Sequence, residues 1–210
     1  AKTTAYFLTG SVAILTDAME SIVNVVAGFF GLYSLYLSSK PKDDDHPYGH
    51  GKIEFVSAAI EGSMISLAGI IIIYEAIRNL IHPHPLSQLG VGMWLIGGTA
   101  FLNFMIGGVA IKIGNKNNSL ALTASGKHLQ SDTYSSMGIL VGLALVYVTN
   151  IQWIDSAVAL LFSMIIVYTG VKIIRISIAG IMDESDHKLL AQLVIVLNEN
   201  RRENWIDLHN

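Results

Sequence analysis

Four polar side chains in two long apolar stretches carry the chemistry of this sequence: Glu20 with Asn24 in one, and His128 with Asp132 in the other. Within each pair the residues are four positions apart, which stacks two side chains a turn apart on one helical face. Two such faces meeting make a cage of one imidazole nitrogen, two carboxylates and one amide oxygen. Tetrahedral Zn2+ accepts such N/O donors at about 2.0 to 2.2 Å, and the two negative charges balance one divalent cation. The amide of Asn24 is the odd member. It is an uncharged donor with no proton to release, and it favours harder ions such as Fe2+ or Mn2+. A charged group at the centre of a membrane helix costs at least about 2.5 kcal/mol, so each one needs a partner or a function. Either pair alone reads equally well as polar glue between helices; two matched pairs favour an ion site.

Other residues extend the list. Asp17 precedes the first pair on the same stretch and reads as an accessory group that attracts cations or caps a bend. The segment Asp43-Asp-Asp-His-Pro-Tyr-Gly-His-Gly-Lys52 places His46 and His50 behind a carboxylate run, so Asp43, His46 and His50 make a second candidate metal site. The plainer alternative is a solvated acidic loop. Gly49 and Gly51 form no phosphate cradle, because neither a Walker pattern nor Gly-x-Gly-x-x-Gly is present. His82 and His84 flank prolines and read as loop residues. The absence of cysteine excludes disulfides and thiolate metal sites, and the lack of a His-Glu-x-x-His pattern argues against an intramembrane metalloenzyme.

The elements that position these groups are membrane spans. Of the 210 residues 52% are hydrophobic and 14% charged, and the mean hydropathy is +0.52, a balance foreign to soluble domains. A bilayer core takes about 20 apolar residues as helix. Long apolar stretches cover roughly 12–37, 53–81, 88–113, 119–149 and 154–178, and residues 1–8 read as the tail of an earlier, truncated span. Lys40, Lys42 and Lys52, then Lys112 and Lys116, then Lys172 and Arg175 mark alternate ends, the positive-inside pattern. It puts the N- and C-termini on the cytoplasmic side. The formal charge of −3 with scattered basic residues gives no reason to expect nucleic acid. The chain starts at Ala1 with no basic segment before a short apolar core, so no signal peptide is expected, and the sequence reads as a fragment. After Gly180 it turns polar, and Leu189, Leu190, Leu193, Val196 and Leu197 recur at helical spacing. Residues 1–180 therefore read as a transmembrane domain and 181–210 as the start of a cytosolic domain, in which Trp205–His209 begins a strand.

With these residues in place, the sequence resembles the cation diffusion facilitator family of metal/proton antiporters. The resemblance covers almost the whole chain. It is carried by Ser11-Val-Ala-Ile-Leu-Thr-Asp-Ala-Met-Glu-Ser-Ile-Val-Asn24, Asp43-Asp-Asp-His-Pro-Tyr-Gly-His-Gly-Lys-Ile-Glu54 and His128-Leu-Gln-Ser-Asp132, with lesser matches at Asp155 and Met182-Asp-Glu184. It implies an all-α bundle of six transmembrane helices, followed by a cytosolic α/β domain that is mostly missing here. It also implies a transport site at Glu20, Asn24, His128 and Asp132, and a loop site at Asp43, His46 and His50. The family's second-span pair is usually Asp or His followed by Asp, so Glu20 and Asn24 depart from it. An ion pair across a homodimer carries over to Lys52 and Asp183, and His209 resembles the first ligand of the metal-binding cytosolic domain. The expected activity is efflux of a divalent cation, Zn2+ first, with Fe2+, Mn2+ or Co2+ as alternatives, in exchange for protons by alternating access. The metal is substrate and no organic cofactor is expected. His128 is the natural proton carrier, since an imidazole ordinarily titrates near pH 6.5. The expected setting is a bacterial cytoplasmic membrane, with a homodimer in the lipid bilayer. A membrane metal sensor or scaffold that binds without translocating is the alternative.

Overall fold

A computed structural model of the chain describes residues 1–83, 86–117, 120–185 and 187–200, the side chains of 120–124 and 187–188 excepted. Among the described residues the chain is all helix: α1 (Lys2–Thr9), α2 (Val12–Ser38), α3 (Ile53–Ile81), α4 (Leu89–Lys116), α5 (Leu120–Thr149), α6 (Trp153–Ile181) and α7 (His187–Glu199). Five of these helices, α2 to α6, are long and apolar enough to cross a membrane. Their outward faces carry side chains such as Phe29, Leu32, Trp94, Phe101, Val148 and Tyr168, an apolar mantle of the kind that lipid covers. The chain is a multi-pass membrane protein. Helices α4 and α6 run on to Lys116 and Ile181, past the expected stretches 88–113 and 154–178.

The 39–52 segment marks one end of the bundle, the loop side; the turn at Gly10 and Ser11 marks the other, the far side. Gly10 sits at φ 68°, left-handed, a conformation glycine adopts without the Cβ penalty. Ser11 then caps α2, its hydroxyl accepting from the Ile14 amide at 3.1 Å, and donates to the carboxylate of Asp155. The other Asp155 oxygen accepts from the Val12 amide at 2.7 Å. One fully buried carboxylate thus satisfies orphan donors at the start of α2 and ties that helix to the start of α6.

Helix α3 packs most extensively on α6, α4 on α5, and α2 on α3. Small residues set the closest approaches: a Cβ on Gly62 would lie 2.8 Å from the Gly170 carbonyl, and one on Gly107 the same distance from that of Gly126. The apolar core, including Ile14, Ile72, Ala76, Ile96, Leu143 and Ala159, gathers in the far-side half. There Gly138 packs on Phe162 and Gly142 on Val158, joining α5 to α6. The core does not continue to the loop side, and a cavity takes its place. The expected strand at Trp205–His209 lies outside the described residues.

Candidate metal centre

A cavity of about 430 Å³ lies between α2, α3, α5 and α6 and is lined by Glu20, Asn24, His128 and Asp132. The two sequence pairs, 108 positions apart, do share one space. The α2 pair projects from the middle of its helix, and His128 stands eight residues into α5, about 12 Å from its loop-side end. The Asn24 amide nitrogen donates to Asp132 Oδ2 at 3.4 Å, a long bond, and His128 Nε2 stands 3.9 Å from the same oxygen. Ligands about 2.1 Å from a tetrahedral Zn2+ stand about 3.4 Å from one another, so His128 and Asp132 are a few tenths of an ångström from a shared ion's geometry. Asn24 presents its NH2 to Asp132; as a ligand it must turn its oxygen inward and give up that hydrogen bond. The His128 side chain is 61% exposed and Asp132 16%, so the site is accessible at His128.

The described His, Asp and Glu side chains that close as a trio to within 4.8 Å are Asp43, His46 and His50. The quartet is more open than that. In the loop, Asp43 Oδ1 accepts from the His46 amide at 2.7 Å and stands 2.9 Å from His46 Nδ1, while Oδ2 lies 3.4 Å from His50 Nε2. The hydrogen bond from the His46 side chain holds the Asp43 carboxyl below its ordinary range. The imidazoles lie 4.4 Å apart, and His50, only 9% exposed, has a buried Nδ1 without a hydrogen-bond partner. Two nitrogens and a carboxylate converging this way suit a divalent cation.

Asp17 does not line the cavity. It is buried, and its Oδ1 takes the Lys2 ammonium at 2.8 Å and the Ser136 hydroxyl at 2.7 Å, linking α1, α2 and α5, while its Oδ2 is buried without a hydrogen-bond partner. Lys52 meets Asp183 Oδ2 at 2.7 Å and the Ile181 carbonyl at 3.1 Å within a single chain. His209 lies outside the described residues. Sequence reasoning passed over Lys2 and Glu61. The signal for Glu61 was present, since the rule that singled out Glu20, a charge inside an apolar run, applies equally to Glu61 in 53–81; it lines the same cavity.

The cation efflux transmembrane domain model matches residues 1–182. The chain belongs to the cation efflux family. An uncharacterized transporter of Synechocystis sp., sll1263, is 37% identical over 184 residues, 88% of this chain and 59% of the relative. The magnetosome protein MamB of Magnetospirillum gryphiswaldense is 31% identical over 189 residues, 87% and 62%. The cation-efflux pump FieF of Pectobacterium atrosepticum is 27% identical over 198 residues, 92% and 66%. The chain thus spans roughly three fifths of the length of the curated relatives it matches.

Proposed function

We propose that this chain is the transmembrane part of a transporter that exports a divalent cation from the cytosol in exchange for protons. Alternating access takes place around Glu20, Asn24, His128 and Asp132. The observation that carries this reading is the cavity that gathers all four side chains from α2 and α5 inside a membrane bundle. The relatives named cation-efflux pumps support it. By the distribution of Lys and Arg the loop side is cytoplasmic, so the splayed quartet corresponds to a state open to the cytosol. Ion binding draws Glu20 toward His128 and Asp132, and Asn24 exchanges its hydrogen bond to Asp132 for coordination. His128 binds metal only as neutral imidazole, so each ion that enters displaces its proton, and reprotonation on the opposite side drives release. The carboxylates supply the two negative charges. Zn2+ is the first substrate expected, with Fe2+, Mn2+ and Co2+ as competitors. The loop trio collects cytosolic metal, and Lys52 with Asp183 braces the base of α3 against α6 in a homodimer that a further cytosolic domain completes.

Replacing His128 or Asp132 by alanine in the full-length protein should abolish metal uptake into inverted vesicles and the linked proton movement. Transport at the unmodified rate by either variant would refute the assignment. Metal binding without flux in proteoliposomes would instead support a sensor.

A further inference from the structure

Glu61 is an ionisable group inside a span that the quartet leaves unused. It stands eight residues into α3, about 12 Å from the loop-side end at 1.5 Å per residue. Asn24 lies fourteen residues from the α2 end at Ser38, about 21 Å from that side, and Glu20 about 27 Å. All line one cavity, so an ion from the loop side passes Glu61 before it reaches the α2 pair. At the next residue, Gly62, the α3 backbone touches α6, which fixes the point from which Glu61 projects. Among the described residues Glu61 makes no hydrogen bond or ion pair, and no Lys or Arg lines the cavity. A carboxylate in a span without a protein cation is costly, and a mobile cation relieves that cost.

We infer that Glu61 is a docking carboxylate for the hydrated divalent cation, holding it in the loop-side part of the cavity, level with His128, before it sheds water and reaches the α2 pair. This rests on the transport reading above. The cavity of about 430 Å³ exceeds the roughly 180 Å³ of six waters at about 30 Å³ each, so the ion can be held through its hydration shell. Capture of this kind sets how much metal is needed for half-maximal transport, not the maximal rate.

The test is metal uptake by the full-length protein in inverted vesicles, with wild type, Glu61→Gln and Glu61→Asp assayed across a Zn2+ series and a Mn2+ series. Coulomb attraction across a hydrated cavity is worth about fivefold, so Glu61→Gln should raise KM about fivefold for both ions and leave the maximal rate within about twofold. Glu61→Asp keeps the charge and should recover most of the loss. An unchanged KM in Glu61→Gln would overturn the inference, as would a lowered maximal rate at constant KM, which marks a merely structural wall. If Glu61→Gln does not reach the membrane, Glu61→Ala carries the test, with KM again expected about fivefold above wild type and an unchanged value refuting. His128→Ala separates the two ideas: full transport in that variant sinks the quartet and the docking role together, whereas a dead His128→Ala beside a wild-type-like Glu61→Gln sinks only Glu61.

Discussion

In the proposed site, Asn24 is the position where exchanging one heavy atom, the amide nitrogen for a carboxylate oxygen, alters chemistry without altering shape. Asn24→Asp supplies a third carboxylate and removes the hydrogen bond that the amide now gives Asp132. The variant should shift uptake toward Zn2+ over Mn2+ by about tenfold, a difference of about 1.4 kcal/mol. Competitive flux with both metals checks it, and an unchanged ratio would remove Asn24 from metal selection. The loop trio answers to pH in a way that its contacts fix. Asp43, held below its ordinary range by His46, contributes contact energy above about pH 3.9, and this is lost only as pH falls through its lower folded value. Between about pH 7.5 and 5.5 its charge therefore stays constant, and it remains an anionic ligand throughout. In a His128→Ala background, calorimetry with Zn2+ should show binding at the loop, and Asp43→Asn should weaken that binding about tenfold, a loss of about 1.4 kcal/mol. The spacing of Asp43, His46 and His50 made this trio legible in sequence. The pairing of Lys2 with Asp17 was not, because a contact between residues on different helices leaves no local pattern.

At the scale of helices, legibility divides between length and partnership. The five long helices could be read from apolar run length alone, and the shortfall at Lys116 arises because α4 continues past its apolar run into Asn115 and Lys116, where a lysine stem can snorkel. Which helix packs on which could not be read. A neighbouring helix and a lipid tail are equally apolar, so periodicity does not tell one face from the other. Small residues decide instead, and adjacent glycines give a controlled comparison. A side chain at Gly107 collides with α5, whereas one at Gly108 meets nothing within 4 Å. Gly107→Leu should cost about 1 to 3 kcal/mol and lower the melting temperature in detergent by several degrees, and Gly108→Leu should leave it unmoved. Likewise Asp155→Ala unties α2 from α6 and strands the Val12 amide, a loss of about 2 kcal/mol visible in the same assay.

Across the whole molecule, a tight far-side core opposes an open loop-side cavity, and an ion pair stands at each end. The two pairs differ in shelter: Lys2 and Asp17 are 10% and 1% exposed, Lys52 and Asp183 56% and 74%. An exposed pair is worth at most about 1 kcal/mol and is screened by salt, because the Debye length shrinks from about 8 Å at 0.15 M to about 3 Å at 1 M. A sheltered pair is screened far less. Raising salt should therefore speed amide hydrogen exchange at the first turn of α3 and the last turn of α6 while leaving α1 and the first turns of α2 unchanged; equal acceleration at both ends would contradict this. Ionic strength thus becomes a lever that acts on one end of the bundle only. A preparation eluted in strong salt would arrive with its loop-side mouth loosened and its opposite end still latched, whatever metal it carried.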